Sequence, residues 1–560
     1  MLSQSILNRL GLGAAVTFAG TSAMAADESP GAKPQRPNIV LMLADDMGYG
    51  NVGCNGATEM LTPNIDSIAS QGLRFTDAHS PAAVCQPTRY AILSGRGYWR
   101  CRWGRYQAGT YFRSNEVVFP KLLQESGYST AMFGKWHLGF GGFLNRGDKG
   151  DINGKLSHGP NWAGFDYFFG MVGSHAQPPY VWIENEGVYK RDPNDPIQII
   201  SHEEAKKRGI QLPANLPNWG WSVGGKAAHE ALKLDRVDLE IAERAGRWIS
   251  QQKKDKPFFL YMALFAPHVP LAVAEEFRNK SPLYKKVGRQ TNATLTADYC
   301  QQLDYAVGMI LEALKKNGFD DNTLVVFSSD NGNLNLGDNQ SVGFRTNGPF
   351  NGGKSDTWEG GHHIPMIARW KNRIPAGKVT DKLFSQIDLY DTFLAAARVN
   401  PPKVGGGEDS LNQLALFENP ETCPPIRKAM EYKGKAMGFR IGDWVYLPHQ
   451  GRGGLDEGGP CHKLGFTNSD YDESNKLKPD APPGQLYNIR KDISQSANLY
   501  KEHPDLVEQF KKVQEASAKK HKNVFDESYI PYPISDFLRV IDDKYVEQLW
   551  PKEFWRGEKK

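Results

Sequence analysis

Four stretches of the chain are apolar at nearly every position and then stop abruptly in ionisable or amide side chains. "PNIVLMLADDMGYG" ends in Asp45 and Asp46, "YSTAMFGKWH" in Lys135 and His137, "PFFLYMALFAPH" in His268, and "NTLVVFSSDNGN" in Asp330 and Asn331. A run that is apolar throughout, rather than at alternate residues, suits a strand buried on both faces of a parallel sheet. Between these runs "NIDSIASQGLRF", "VVFPKLLQESG", "LDRVDLEIAERAGRWISQQ" and "LTADYCQQLDYAVGMILEALKKNG" read as helices, the last closed by glycine. The alternation predicts an α/β fold, a large sheet covered by helices on both sides. In such open sheets ligands bind beyond the carboxyl ends of the strands. One polar ending is a turn; four at one edge point to a site.

The ends of the chain read differently. "MLSQSILNRLGLGAAVTFAGTSAMA" has an arginine, a short apolar run and a small-residue cleavage pattern, so residues 1–25 are expected to be a signal peptide and 26–36 a linker. No later segment approaches the length that spans a bilayer, so an exported protein without a membrane anchor is expected, periplasmic or secreted. From about residue 430 short strands appear in "AMGFRIGDWVYLP" and "GQLYNIRKD", followed by the helical "HPDLVEQFKKVQEASAKK". We therefore expect a catalytic domain over 37–429 and a smaller α+β subdomain over 430–560, with an antiparallel sheet and a terminal helix. Lys+Arg (67) nearly balance Asp+Glu (63), which argues against a nucleic-acid partner. The 57 glycines and 35 prolines suit a loop-rich enzyme, and six cysteines are too few for a disulfide scaffold in 560 residues. Cys423 and Cys461 are a candidate bridge that nothing in the sequence decides.

Asp45, Asp46, Asp330 and Asn331 are hard oxygen donors, suited to calcium or magnesium rather than zinc. Three carboxylates gathered without a cation would repel one another. Each motif alone, "DDMG" or "SDNG", is equally an ordinary turn. The remaining puzzle is "VCQPTRYAILSGR", Val84 to Arg96, which sets Cys85 two residues before a proline and four before Arg89. A reactive thiol is vulnerable in an oxidising compartment and mismatched to a hard cation, so the cysteine is not expected to be the final species.

Cys-x-Pro-x-Arg followed by "LSGR" resembles the maturation signature of the sulfatase family, in which this cysteine is oxidised to formylglycine (3-oxoalanine). "TPNIDSIASQGLRFTDAH", "TAMFGKWHLG", "GFDYFFG", "APHVPL", "VVFSSDNG", "GGKSDTWEGGHHIP" and "LYNIRKDISQSANL" are similar to sulfatase segments in family order, over roughly residues 36 to 515. The resemblance implies an alkaline-phosphatase-like fold, with a mixed, mostly parallel sheet, and a sulfuric ester hydrolase. It implies that Asp45, Asp46, Asp330 and Asn331, completed by the oxidised Cys85, hold a calcium ion, magnesium being the lesser alternative. It implies that Arg89 and Lys135 support the hydrated aldehyde. One of its hydroxyls attacks sulfur in line and displaces the substrate alcohol, and deprotonation of the other then expels sulfate. His137 is the implied base for that collapse; His268 and Lys354 would bind sulfate and protonate the leaving oxygen. Two departures stand out: Ser94 where threonine is common, and His363 where many members have arginine. Taken singly, Lys135 and Lys354 read as surface lysines, His137 as a core histidine and His268 as a loop residue.

For substrate, the Met171–Lys226 segment offers Tyr180, Trp182, Trp219 and Trp221, and "YWRCRWGRY" offers Arg100, Arg102 and Arg105. Aromatic faces and cations together suit a sulfated glycan, such as an N-acetylgalactosamine or galactose sulfate. Core packing and a solvated loop are the alternatives for these same residues. A small-aryl sulfatase, a phosphonate or phosphodiester hydrolase of the same superfamily, and a glycan-binding protein with an unmatured Cys85 remain as competing readings. A maturing enzyme that generates formylglycine is the implied macromolecular partner.

Overall fold

The computed structural model describes residues 35–100, 110–113, 115–140, 151–210, 221–334, 337–434, 436–454 and 458–522. The expected leader, Arg102, Arg105, Trp219 and the chain beyond 522 lie outside them. A ten-stranded sheet organises the rest. In spatial order its strands are Lys378–Thr380, Leu73–Phe75, Met366–Arg369, Thr323–Ser329, Asn38–Asp45, Phe258–Pro267, Ser129–Lys135, Tyr167–Met171, Ile183–Glu184 and Gly187–Val188. The five from Thr323–Ser329 to Tyr167–Met171 are mutually parallel, and both flanks contain antiparallel pairs. The sheet is thus mixed and mostly parallel, as expected.

The unbroken apolar runs are explained by burial on both sides. Ile39, Leu41 and Leu43 enter one core with Phe119 and Phe393, whereas Val40, Met42 and Ala44 enter the other with Ile241 and Leu303. Each such side chain contributes about 1.5–3 kcal/mol on burial, so neither face can be polar. The helices Val237–Ser250 and Asn292–Lys316 cover one face, and Phe119–Glu125 and Leu389–Ala397 the other. The long helix ends at Asn317, with Gly318 following at φ 64°. Part of one expectation changes. "NIDSIASQGLRF" is helical only through Ser70; its end, Leu73–Phe75, is a strand, because alternating Leu73 and Phe75 enter the core at the sheet flank.

A separate four-stranded antiparallel sheet, Ala429–Lys433, Met437–Ile441, Trp444–Leu447 and Gln485–Asn488, carries the helix Pro504–Lys522. Leu506, Val507 and Phe510 pack onto Phe439, Tyr446 and Leu486. The candidate bridge between Cys423 and Cys461 is not formed. Among the described residues no helix is long and apolar enough to cross a membrane.

Candidate active site

Because four neighbouring strands run parallel, their polar endings emerge at one edge. Asp45 and Asp46 end the central strand, Asp330 and Asn331 follow its neighbour on one side, and His268 follows its neighbour on the other. Lys135 and His137 come from the next strand out. All seven are buried or nearly so, as is Cys85. The Cys85–Ser94 helix starts at the same edge. Cys85 occupies its first position and Arg89 lies one turn on, so both face the same way. Pro87 sits in the first turn, where its missing N–H costs nothing, and Gly95 (φ 63°) closes the helix onto Ala91 O.

The charges interlock. Lys135 Nζ donates to both oxygens of Asp45, at 2.9 and 2.7 Å. Arg89 donates from Nε (2.9 Å) and Nη2 (2.7 Å) to Asp330 Oδ2. Lys354 Nζ donates to Asp46 Oδ2 at 2.8 Å, and His268 Nε2 lies 3.7 Å from the same oxygen. Asn331 Nδ2 donates to Asp46 Oδ1 at 2.7 Å. Cys85 Sγ is 3.4 Å from His137 Nδ1. Asp46 (φ 64°), His137 (φ 60°) and Ser355 (φ 74°) all hold left-handed backbone, a strain that tends to gather at functional sites. The loops meet closely: a Cβ on Gly332 would come within 1.8 Å of Gly360 O, so the SDNG and EGG turns require glycine there.

Electrostatics sort the roles. Burial pushes the Cys85 thiol up, although Lys135 and Lys354 pull against it, so it stays protonated and is no thiolate nucleophile. Burial, reinforced by Lys135 and Arg89, drives His137 well below its ordinary value, leaving a neutral imidazole able to take a proton. Burial would raise the Asp45 carboxyl, but Lys135, His268 and Arg89 outweigh it and hold it well below the usual range. Asp330 is pushed up by burial against the pull of Arg89, with the Asp45 charge adding to the rise. Carboxylates crowded this way are stabilised by a cation among them. The donor set fits one: three carboxylates converge, and Asn331 Oδ1 is buried without a hydrogen-bond partner. Oxygen-only donors match calcium or magnesium.

Residues 37–399 match the family profile described as Sulfatase. The chain belongs to the sulfatase family. It is 29% identical to an N-acetylgalactosamine-6-O-sulfatase of Bacteroides thetaiotaomicron over 87% of this chain and 94% of that one. It is 33% identical to an N-acetylgalactosamine-6-sulfatase of Canis lupus familiaris over 79% of each chain. A solved structure described under the metabolism of multiple glycosaminoglycans by Bacteroides thetaiotaomicron superposes with a TM-score of 0.71 at 29% identity, over 86% of this chain and 99% of that one. This sulfatase is accordingly a sulfuric ester hydrolase.

Residues that the strand-end argument did not find hold the sulfatase site in place. Asn333 Nδ2 donates to Asp46 O at 2.7 Å, while its own N–H donates to Asn347 Oδ1 at 2.8 Å. Gln86 Nε2 donates to His137 O at 3.0 Å, and Ser174 Oγ lies 3.5 Å from His268 Nδ1. Asn333 stands two residues past Asn331 and was legible as part of "SDNGN"; the others depend on distant loops meeting.

Two substrate expectations are corrected. Trp182 is 1% exposed and packs against Phe169 with ring centroids 4.9 Å apart, and Tyr180 is buried against Trp221. The Ile183–Glu184 hairpin extends the main sheet and tucks these rings into its core, so they offer no sugar platform. Arg100 is neither a substrate arm nor solvated: its Nε and Nη2 donate to the two oxygens of Asp409 at 2.7 and 2.8 Å, in the interior. Removing one partner of a buried pair costs about 3–5 kcal/mol. Arg100→Ala is therefore expected to lower the free energy of unfolding by that order while leaving KM for any sulfate ester unchanged. A rise in KM with stability intact would restore Arg100 to substrate binding.

Behind His268, His175 is wholly buried, with Nε2 donating to Pro270 O at 3.0 Å and Nδ1 unpartnered. Burial, followed by the neighbouring His268, pulls it from the ordinary 6.5 to about 4. The unfolded chain takes up this proton below pH 6.5 and the folded one does not. Its share of stability is therefore complete above pH 6.5 and falls by up to about 1.4 kcal/mol per pH unit towards pH 4. His175→Gln keeps a donor for Pro270 and should flatten the acid side of a stability–pH curve by that slope; an unchanged curve would refute the assignment.

Proposed function

We propose that this sulfatase is exported, carries formylglycine at position 85 beside a bound calcium ion, and removes 6-O-sulfate from N-acetylgalactosamine in a sulfated glycan. The observation that carries the reading is the 3.4 Å contact of Cys85 Sγ with a neutral His137, at the mouth of an oxygen-donor cluster. In that contact Sγ stands in for an oxygen of the hydrated aldehyde. The names of two relatives, both N-acetylgalactosamine-6-sulfatases, support the sugar and the position.

The cation, held by Asp45, Asp46, Asp330 and Asn331, would supply charge to stabilise the nucleophile and the sulfuryl oxygens. The chain's own residues do the remainder. Arg89 anchors Asp330 and sits one turn beneath residue 85, adding positive field together with the helix N-terminus. Lys135 holds Asp45 in place. His137 accepts the proton whose loss releases sulfate from residue 85. Lys354 and His268 flank Asp46 Oδ2, where they bind the sulfuryl group and protonate the departing sugar oxygen. Fixed donors and cations are what a loose sulfuryl-transfer transition state rewards.

The reading is tested on protein made in its native host. A loss of about 18 Da in the Cys85 peptide, the shift for thiol-to-aldehyde conversion, is expected. So is faster sulfate release from 6-sulfated than from 4-sulfated N-acetylgalactosamine, and faster turnover of an aryl sulfate than of an aryl phosphate diester. An unmodified thiol would overturn the mechanism and favour a glycan-binding role. Faster phosphodiester turnover would favour the phosphohydrolase reading.

A further inference from the structure

On the far side of the Glu359–Gly361 turn, a second cluster of metal-ligating side chains is sealed in the interior. It joins the Ala78–His79 strand, the turn itself and the C-terminal sheet. His79 and His362 are 0% exposed and Glu359 is 1% exposed. Their Nδ1 atoms face each other at 3.0 Å, and one nitrogen of each ring and a Glu359 oxygen all lie within 4.8 Å of one another.

The outer partners of these side chains decide which atoms point inward. His79 Nε2 is 2.8 Å from Asp77 Oδ1. Arg440 Nη1, which can only donate, lies at the same distance from that nitrogen, and Nη1 and Nη2 each also donate to Asp77 at 2.6 Å. His362 Nε2 is 3.3 Å from Thr357 O. The acceptor beside His362 Nε2 places a proton there and leaves the His362 Nδ1 lone pair pointing inward, whereas His79 Nε2 has both an acceptor, Asp77, and a donor, Arg440, beside it. The 3.0 Å contact of the two Nδ1 atoms therefore holds either a proton on His79 Nδ1 or a metal cation in its place. Glu359 Oε2 meets His363 Nδ1 at 2.9 Å and is also the oxygen recorded nearest His79 Nδ1, at 3.9 Å, while Oε1 is buried with no partner.

We propose that His79 Nδ1, His362 Nδ1 and Glu359 hold a structural divalent cation of the zinc class, separate from the catalytic cation. Two imidazoles and one carboxylate favour a borderline metal over calcium. An imidazole whose second nitrogen is tied to a carboxylate, as His79 is to Asp77, has the outer arrangement found around zinc-bound histidines. Through Asp77 and Arg440 the ion would tie the turn to the Met437–Ile441 strand of the C-terminal sheet. The pairing of His363 with Glu359 also gives a use for the histidine that stands where many sulfatases have arginine.

The full chain, saturated with calcium to occupy the catalytic position, is exposed to zinc, desalted and analysed for metal. About one retained zinc per chain that excess calcium does not displace is expected. Cobalt in its place should give the intense visible bands of a four-coordinate nitrogen–oxygen site, not the weak ones of a six-coordinate oxygen site. His362→Asn and Glu359→Gln should abolish retention, and Asp77→Asn should weaken it about 10- to 100-fold. No calcium-resistant zinc in the wild-type chain, or zinc held equally by Glu359→Gln, would overturn the proposal; the pair is then a proton-sharing His79–His362 contact. The wild-type and cobalt measurements decide the matter even if a variant fails to fold.

Discussion

Cys85→Ser is expected to complete one turnover and stop. A serine at position 85 keeps the first position of the Cys85–Ser94 helix, the neighbouring His137 and the cation set, so it retains a hydroxyl able to attack sulfur. It lacks the second hydroxyl whose deprotonation would expel the sulfate. Release would then need a fresh attack at sulfur by water, in a site where residue 85 is only 4% exposed. We expect steady-state turnover to fall by at least about 10⁴-fold, the scale for loss of a nucleophile acting as part of a unit. A burst of about one equivalent of alcohol product should accompany it, and the peptide holding residue 85 should gain about 80 Da as a sulfate ester. Sustained turnover by the serine variant would show that the second hydroxyl is unnecessary and remove the reason for formylglycine. An inactive variant without the mass gain would place the nucleophile elsewhere.

How much of this was legible beforehand depends on where the cause lies in the chain. The strand endings were readable because an apolar run buried on both faces gives a terminal aspartate or lysine few reasons to be there. Parallel pairing then brings Asp45, Lys135, His268 and Asp330 together from positions nearly 300 residues apart. The proposed cation set rests on donor chemistry read from the sequence, and the orphaned Asn331 Oδ1 fits it. Arg100 was misread because its counter-charge, Asp409, lies 309 residues away and nothing local announces it. Tyr180 and Trp182 looked like a sugar platform because an aromatic loop and an aromatic core share one composition; only the Ile183–Glu184 hairpin, added to the sheet edge, separates them. Gln86 and Ser174 act through a backbone carbonyl and a ring nitrogen supplied by other loops, which no periodicity reports.

The second large effect concerns the pairing of Lys135 with Asp45, both at 0% exposure. Asp45→Asn leaves the Lys135 ammonium buried against an amide, a loss of about 3–5 kcal/mol. It also removes one of the three carboxylates of the proposed cation set, so sulfate release should fall by about 10³-fold or more, on the scale of electrostatic catalysis. These two consequences can be separated. In Asp45→Asn/Lys135→Met neither partner is left charged, and a buried pair replaced on both sides is often near neutral in stability. The double variant should therefore regain most of the lost unfolding midpoint while activity stays absent. Lys135→Met alone leaves Asp45 facing Asp46 and Asp330 with one cation fewer, so its stability should rise with added calcium more steeply than that of the wild type. If the double variant is as unstable as Asp45→Asn, the pair does not act as a unit. If it regains activity along with stability, Asp45 serves the fold and not the cation.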